Sequence, residues 1–431
     1  MKILHLISQA PDYTGSGKYI QAMLMCSTRK GHQNFLVAGV QNQFTLDANI
    51  IPESQCRYVW FNGVEPSLPY PLPGMSDVMP YDHTIFSRMT EEETHAYESA
   101  FKTAIIEAVE RFRPDIIHSH HLWIVSVLAC EVAPHIPVVT TCHGTCLRQY
   151  NFCSVLGPRV GGSCSNISRV IALSYHQKDE IKKTHGIPEE QIDVIPGGFD
   201  ETIFYPEERS LQQPVEILYA GKLCRAKGVP WLLNSIRLLD KSDFKWRLHL
   251  AGTGSGEELE KCLDLADSLG SKVVVHGALS HTDLANLMRK SHIFVLPSFY
   301  EGLPLVLMEA LACGCRVLTT ALPGTKEMFA DKESKEFKRL KEMEKESSYE
   351  KDDLVSLIEL PELETVDKPF ESDIPYLEQQ LKSALEKLIA TAVEHPNPDF
   401  GRCRLLTEPC SWKRIFESIE KVYLRCLDSY F

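Results

Sequence analysis

The feature that most constrains this chain is a repeated alternation of short apolar runs with longer amphipathic stretches. Ile3–Ile7, Phe35–Val40, Ile116-Ile117, Pro137–Thr141, Val170–Leu173 and Ile192–Ile195 read as strands. Between them, helical spacing of apolar residues is visible over Tyr19–Lys30, Glu91–Arg113, Leu122–Cys130 and Gln177–Thr184. Strands that are apolar on both faces and alternate with helices predict a parallel sheet wrapped on two sides. Pro196-Gly197-Gly198 and the stretch Pro206–Pro214 break the pattern and predict a linker. The alternation then restarts, with strands at Ile217–Ala220, Arg247–Ala251, Val273–His276, Ile293–Pro297 and Arg316–Thr320. Helices are expected to begin near Val229, Glu257, Thr282, Pro304 and Pro323. The expected architecture is α/β, with two Rossmann-like, doubly wound domains over 1–206 and 207–408. A last helix over 409–431 is expected to return to the first domain. Ligands bind at strand C-termini in such sheets, so two sheets predict a site in a cleft.

Composition narrows the function. The 431 residues carry 45 Lys and Arg against 58 Asp and Glu, a net charge of −13. That excess disfavours a nucleic-acid coat or a polybasic membrane binder, so no nucleic-acid partner is expected. No stretch reaches the roughly 18 uncharged apolar residues of a spanning helix, and the start Met1–Gly15 lacks the apolar core of a signal peptide. The expected location is cytoplasmic, with a peripheral place at a membrane left open. Fourteen scattered cysteines are then expected to be reduced thiols. The segment 331–353, almost all Lys, Glu, Asp and Ser, reads as a charged insertion.

The chemistry concentrates in Phe299–Cys315. Glu301 is placed on the loop after a strand. Gly302-Leu303-Pro304 is expected to open a helix, with Pro304 in its first turn, so that free N–H groups there would receive an anion. Glu309, read as more than one turn into that helix, shares an apolar stripe with Leu307, Met308 and Ala310. A carboxylate there is costly unless it accepts hydrogen bonds, and ribose hydroxyls are suitable donors; the other reading is a solvent-facing acid.

Two clusters admit competing readings. His118, His120 and His121 at a strand end read as metal ligands or as lining and packing, and the lack of an accompanying acidic pair favours the second. Cys142, Cys146, Cys153 and Cys164 fall within 23 residues. Their spacing departs from paired zinc motifs; buried thiols are expected, and zinc or a redox pair is left open.

Glutamates eight apart around Gly-Leu-Pro resemble the E-x7-E signature of the retaining GT-B glycosyltransferases of family 4, glycosyltransferases group 1. The resemblance extends along nearly the whole chain. Gly15-Ser16-Gly17 resembles the N-terminal glycine loop, and Gly221-Lys222-Leu223 with Lys227-Gly228 resembles the G-R-L-x-x-x-K-G segment. His249–Gly254 resembles the L-x-G-x-G strand end, and Pro323-Gly324 the following glycine turn.

The resemblance implies transfer of a sugar from a nucleoside diphosphate donor, a UDP-sugar by preference, with retained anomeric configuration. It implies no metal or other cofactor. Lys222, Lys227, Glu301 and His143 would form the reacting site, and Gly15, Ser16, Gly17, Arg225, Gly302, Leu303, Pro304 and Glu309 would hold the donor. The nucleobase would sit near Gly277–Leu279, by position only. Lys222 stands where the family usually has Arg, a point charge in place of a bidentate fork. Arg148 and Tyr150 would meet the acceptor, which is open among small molecules, glycans and lipid-linked sugars. The alternatives are a nucleotide-sugar epimerase or other GT-B enzyme, or a non-catalytic two-lobed sugar-binding protein.

Overall fold

The computed structural model describes residues 1–430 except 13, 42–43, 64–66, 77–78, 80, 211–213, 240–243, 331–353 and 366. The charged insertion expected at 331–353 therefore lies outside the described residues. The chain forms two compact units, Met1–Gly198 with Trp412–Phe431, and Phe199–Ser411. Phe199 and Phe204, which precede the expected boundary at 206/207, pack in the core of the second unit.

The first unit runs β1 (Lys2–Ile7), α1 (Gly15–Arg29), β2 (Gln33–Gln41), β3 (Cys56–Phe61), α2 (Glu91–Phe112), β4 (Ile116–His120), α3 (Ile124–Val132), β5 (Val138–Cys142), α4 (Thr145–Phe152), α5 (Leu156–Ser163), β6 (Arg169–Ala172), α6 (Tyr175–His185) and β7 (Ile192–Val194). Its seven strands are parallel in the order β3-β2-β1-β4-β5-β6-β7. Alternate residues of each strand serve the two faces. Leu4, Leu6 and Ile117 meet Phe101, Ile105 and Leu128 of α2 and α3, whereas Ile3, Ile116 and Val139 meet Tyr19 and Met23 of α1.

Two segments depart from expectation. α1 starts at Gly15 rather than Tyr19, because Thr14 caps it: the Thr14 hydroxyl accepts from the Gly17 N–H at 3.0 Å. β3, which the strand–helix alternation did not predict, is an edge strand built from Tyr58, Val59, Trp60 and Phe61.

The second unit runs β8 (Val215–Ala220), α7 (Val229–Leu239), β9 (Trp246–Ala251), α8 (Gly256–Asp267), β10 (Val273–Gly277), α9 (His281–Lys290), β11 (Ile293–Leu296), α10 (Val306–Ala312), β12 (Arg316–Thr320), α11 (Pro323–Ala330), β13 (Val355–Ile358), α12 (Ile374–Glu394) and α13 (Phe400–Thr407). Its six strands are parallel in the order β10-β9-β8-β11-β12-β13. The order reverses between β8 and β11, so the loops after these strands diverge and leave room for a ligand. Helix α10 begins at Val306, two residues after Pro304, and has seven residues. The expected helix start at Pro304 is thus corrected: Glu309 sits in the first turn of a short helix.

The last helix, α14 (Trp412–Tyr430), belongs to the first unit. It buries Ile415, Phe416, Ile419, Val422 and Tyr423 in the cluster that holds Ile3, Tyr19 and Met23. At about 2 kcal/mol per buried side chain, these five contribute on the order of 10 kcal/mol before ordering entropy. Among the described residues no helix is long and apolar enough to cross a membrane.

Candidate functional site

In the second unit, the sequence-predicted residues collect on loops at the C-terminal ends of β8, β9, β11 and β12, and those loops are welded backbone to backbone. A Cβ on Gly252 would stand 1.9 Å from the Gly221 carbonyl oxygen, and one on Gly254 would stand 2.5 Å from that of Leu223. A Cβ on Gly324 would stand 1.9 Å from the Gly302 carbonyl oxygen. These glycines are fixed by contact between neighbouring turns, which braces the Lys222 turn against the loop after β9 and the Gly302 turn against the loop after β12.

Lys227 reaches Glu301 from the loop before α7. Its Nζ is 2.7 Å from Glu301 Oε1 and donates to the Tyr300 carbonyl at 3.3 Å. Ser298 Oγ donates to the same Glu301 oxygen at 2.8 Å. The Ser298 carbonyl accepts from Thr320 Oγ1 at 2.6 Å, which steadies the loop from the neighbouring strand. The other carboxylate oxygen, Oε2, has no partner among the described residues and is available to a ligand hydroxyl. Ser298, Thr320 and Tyr300 escaped the sequence reading. A hydroxyl three residues before an acid was the available signal for Ser298.

The remaining predicted residues divide. Lys222 is exposed and makes no ion pair among the described residues. Its carbonyl accepts from Tyr219 OH at 2.7 Å, which holds the backbone and leaves the ammonium free. Gly302 has open space around its Cα, Leu303 is half-buried and Pro304 is buried. Arg225 is turned to Glu371, with which it forms an ion pair. Glu309 is half-buried among Leu307, Met308 and Ala310 and has no hydrogen-bond partner for its carboxyl among the described residues. Burial pushes that carboxyl up to about 7. Among the described residues it is unpaired, the state of an acid that can accept donors from a ligand.

In the first unit, the predicted loop Gly15-Ser16-Gly17 is the first turn of α1. Its three members have separate reasons. A Cβ on Gly17 would lie 2.5 Å from the Asp12 carbonyl oxygen, so packing accounts for it. Ser16 is buried and its hydroxyl accepts from Gln9 Nε2 at 2.8 Å. Gly15 is exposed with nothing near its Cα, so it alone leaves backbone open to a ligand.

His143 follows β5 and is half-buried. Its Nε2 hydrogen-bonds His120 Nδ1 at 3.1 Å, and the Tyr19 ring meets it edge-on at 4.9 Å. Nδ1 of His143 has no partner among the described residues. Burial, together with the neighbouring imidazoles of His121 and His118, holds His143 well below the ordinary histidine range, so it is neutral near pH 7. His118, His120 and His121 are buried residues of the first unit. The strand register explains this, since His5 pairs with His118 and Ile7 with His120 on the sheet face covered by α1 and α14.

His5, missed in sequence because it sits inside an apolar run, completes a trio with His118 and His120 whose ligand nitrogens lie within 4.8 Å of one another. The trio fits a metal poorly. Both His118 nitrogens are engaged, with Tyr423 OH at 2.6 Å and Thr141 Oγ1 at 2.8 Å, and no carboxylate joins the group.

Residues 14–202 match the family described as glycosyltransferase family 4, and residues 201–346 match glycosyl transferases group 1. The two matches abut and together cover more than three quarters of the chain.

The chain belongs to the group 1 glycosyltransferases of family 4.

Among curated relatives, this group 1 chain is 30% identical over 227 residues to a glycogen synthase of Mycobacterium tuberculosis, a match spanning 49% of this chain and 53% of the relative. It is 28% identical over 261 residues to a D-inositol 3-phosphate glycosyltransferase of Paenarthrobacter aurescens, spanning 53% and 62%. The chain thus matches little more than half the length of these relatives. Among solved structures, the sucrose-phosphate synthase of Thermosynechococcus elongatus superposes with a TM-score of 0.64 at 16% identity, covering 99% of each chain. HepE of Anabaena in complex with UDP superposes at 0.62 and 15%, covering 99% of this chain and all of that one. At such identities the likeness shows the fold, which is the two-Rossmann GT-B fold.

Proposed function

We propose that this group 1 glycosyltransferase moves a sugar from a nucleoside diphosphate donor to a hydroxyl acceptor and retains the anomeric configuration. The observation that carries the reading is the Lys227–Glu301 pair at 2.7 Å on the loop that leads into Gly302-Leu303-Pro304. It places an ammonium beside a carboxylate whose second oxygen is unclaimed. Lys227 and the free ammonium of Lys222 would neutralise charge on the departing diphosphate, the largest electrostatic demand of the reaction. Glu301 Oε2 would accept from a sugar hydroxyl, and Glu309 from the ribose. On the first unit, Nδ1 of His143 and the open backbone at Gly15 are the groups proposed to meet sugar and phosphate.

In the proposed step, the acceptor oxygen bonds to the anomeric carbon as the bond to the diphosphate oxygen breaks on the same face. The acceptor proton passes to the diphosphate. The lysines supply the positive charge, so transfer is proposed to proceed without a divalent cation and in the cytoplasm. Uridine is the proposed base; a neighbour of the same fold, Anabaena HepE, is solved with UDP and glucose. The acceptor class stays open.

The test is a panel of nucleoside diphosphate sugars, read by thermal shift and by release of nucleoside diphosphate with a chelator present. One donor should raise the melting temperature and be consumed. Full transfer by Lys227→Ala, or a requirement for added metal, would overturn the reading.

A further inference from the structure

Cys142 closes β5 and Cys146 is the second residue of α4, so the two thiols bracket His143, Gly144 and Thr145. Both are fully buried, and their sulfurs are 3.2 Å apart. Nearby thiols are engaged differently. Cys164 donates to the Val160 carbonyl at 3.2 Å, and Cys153 donates to Gln149 Oε1 at 3.4 Å. A disulfide is about 2.05 Å long, so closure asks the two sulfurs to approach by only about 1 Å. The turn between them contains Gly144 at φ +85°, a conformation glycine adopts without strain.

The two sulfurs are also unequal. Burial raises Cys142 well above the ordinary thiol range, and its bond to Cys146 raises it further. Burial alone would raise Cys146 too, but the bond from Cys142 and backbone donors at Leu122, His143 and Gly144 outweigh it and lower that thiol.

We propose that Cys142 and Cys146 form a covalent modification site: a thiol pair that closes to a reversible disulfide across the loop carrying His143. The oxidant class is a peroxide. The Cys146 thiolate attacks one oxygen of hydrogen peroxide, the O–O bond breaks, and a sulfenic acid forms as hydroxide leaves. The Cys142 sulfur then attacks the sulfenic sulfur, and water departs with the Cys142 proton. Two thiols lose two electrons and two protons, and peroxide becomes two waters. A dithiol reverses the change by exchange. None of this depends on the proposed sugar transfer.

The test uses the unmodified full chain, exposed to hydrogen peroxide, then unfolded, alkylated and digested with trypsin without reductant. The peptide ending at Arg148 carries Cys130, Cys142 and Cys146. It should bear one alkyl label in place of three and be lighter by two hydrogens, with dithiothreitol restoring all three labels. Three labels after peroxide, a link through Cys130, irreversible sulfinic acid at Cys146, or stoichiometric zinc protecting both thiols would each overturn the proposal. No substitution is needed, so a folding defect cannot mask the result.

Discussion

Lys227 Nζ lies 2.7 Å from Glu301 Oε1, and the two side chains retain only 28% and 15% of their exposure. Each therefore compensates the other's partial desolvation, and removal of one leaves the other short of a counter-charge. Lys227→Ala is expected to lower kcat/KM for the donor by about 10²–10³, the scale of losing one preorganised electrostatic group. Glu301→Gln keeps the Ser298 hydroxyl within reach and is expected to lose less. The double substitution Lys227→Ala with Glu301→Ala should be no worse than about the poorer single one, because residues acting as a unit are non-additive. Multiplying losses in steady-state kinetics would show that the pair acts as two separate groups.

Gly228 positions that lysine. Its φ is +69°, and a Cβ there would stand 2.0 Å from the Pro297 carbonyl oxygen. Gly228→Ala is expected to cost at least about 2 kcal/mol, combining the left-handed penalty with the clash. Gly256→Ala is the control. Its φ of +63° carries the same conformational penalty, but nothing lies within 4 Å of a Cβ there. Urea unfolding of both variants separates the terms, and equal losses would remove the packing argument.

The sheets were largely legible because their strands are apolar on both faces, a pattern only a parallel, helix-covered sheet satisfies. Glu301, Gly302 and Glu309 were legible as a set because they are local. What escaped has a physical cause in each case. The Lys227–Glu301 contact joins separate loops, and nothing in either loop announces the other. Arg225 looked like a phosphate ligand from its neighbours, yet Glu371, brought close by the start of α12, takes it. The start of α1 was misplaced because glycine propensity argues against a helix there, while the Thr14 cap decides for one. His5 was hidden by its own strand, since a buried polar residue inside an apolar run gives no periodic signal.

The buried imidazoles predict acid sensitivity. Burial lowers His5 to about 4, His121 to about 3 and His185 to about 4, and holds His118, His120 and His143 well down. All six belong to the first unit. Below the unfolded value near 6.5 the unfolded chain binds protons that the folded one refuses, so stability falls as pH falls. Each neutral histidine contributes a slope of up to about 1.4 kcal/mol per pH unit. The first unit should lose stability steeply from pH 6.5 to 5, more steeply than the second, where His292 and His276 are the lowered histidines among the described residues. Trp123, fully buried in the first unit, is one reporter in a series of unfolding curves. A flat response over that range would contradict the burial of neutral histidines.

Glu309 predicts the opposite sign. Its carboxyl is raised by burial from 4.5 to about 7. Between those values the folded state binds a proton that the unfolded state has released. The stabilisation is therefore complete below about pH 4.5 and lost as pH rises through 7, an amount of at most about 3 kcal/mol. Glu309→Gln carries the uncharged form permanently, so the difference between the two proteins isolates this group from the histidines. The wild-type chain should lose stability relative to Glu309→Gln between pH 5 and 7. Ribose hydroxyls donating to the carboxylate favour its charged form, so affinity for the nucleoside of the preferred donor should strengthen as pH rises through 7. The strengthening should vanish in Glu309→Gln and with a 2′,3′-dideoxy nucleoside, as measured by calorimetric titration. A pH dependence that survives both changes would place the ribose elsewhere.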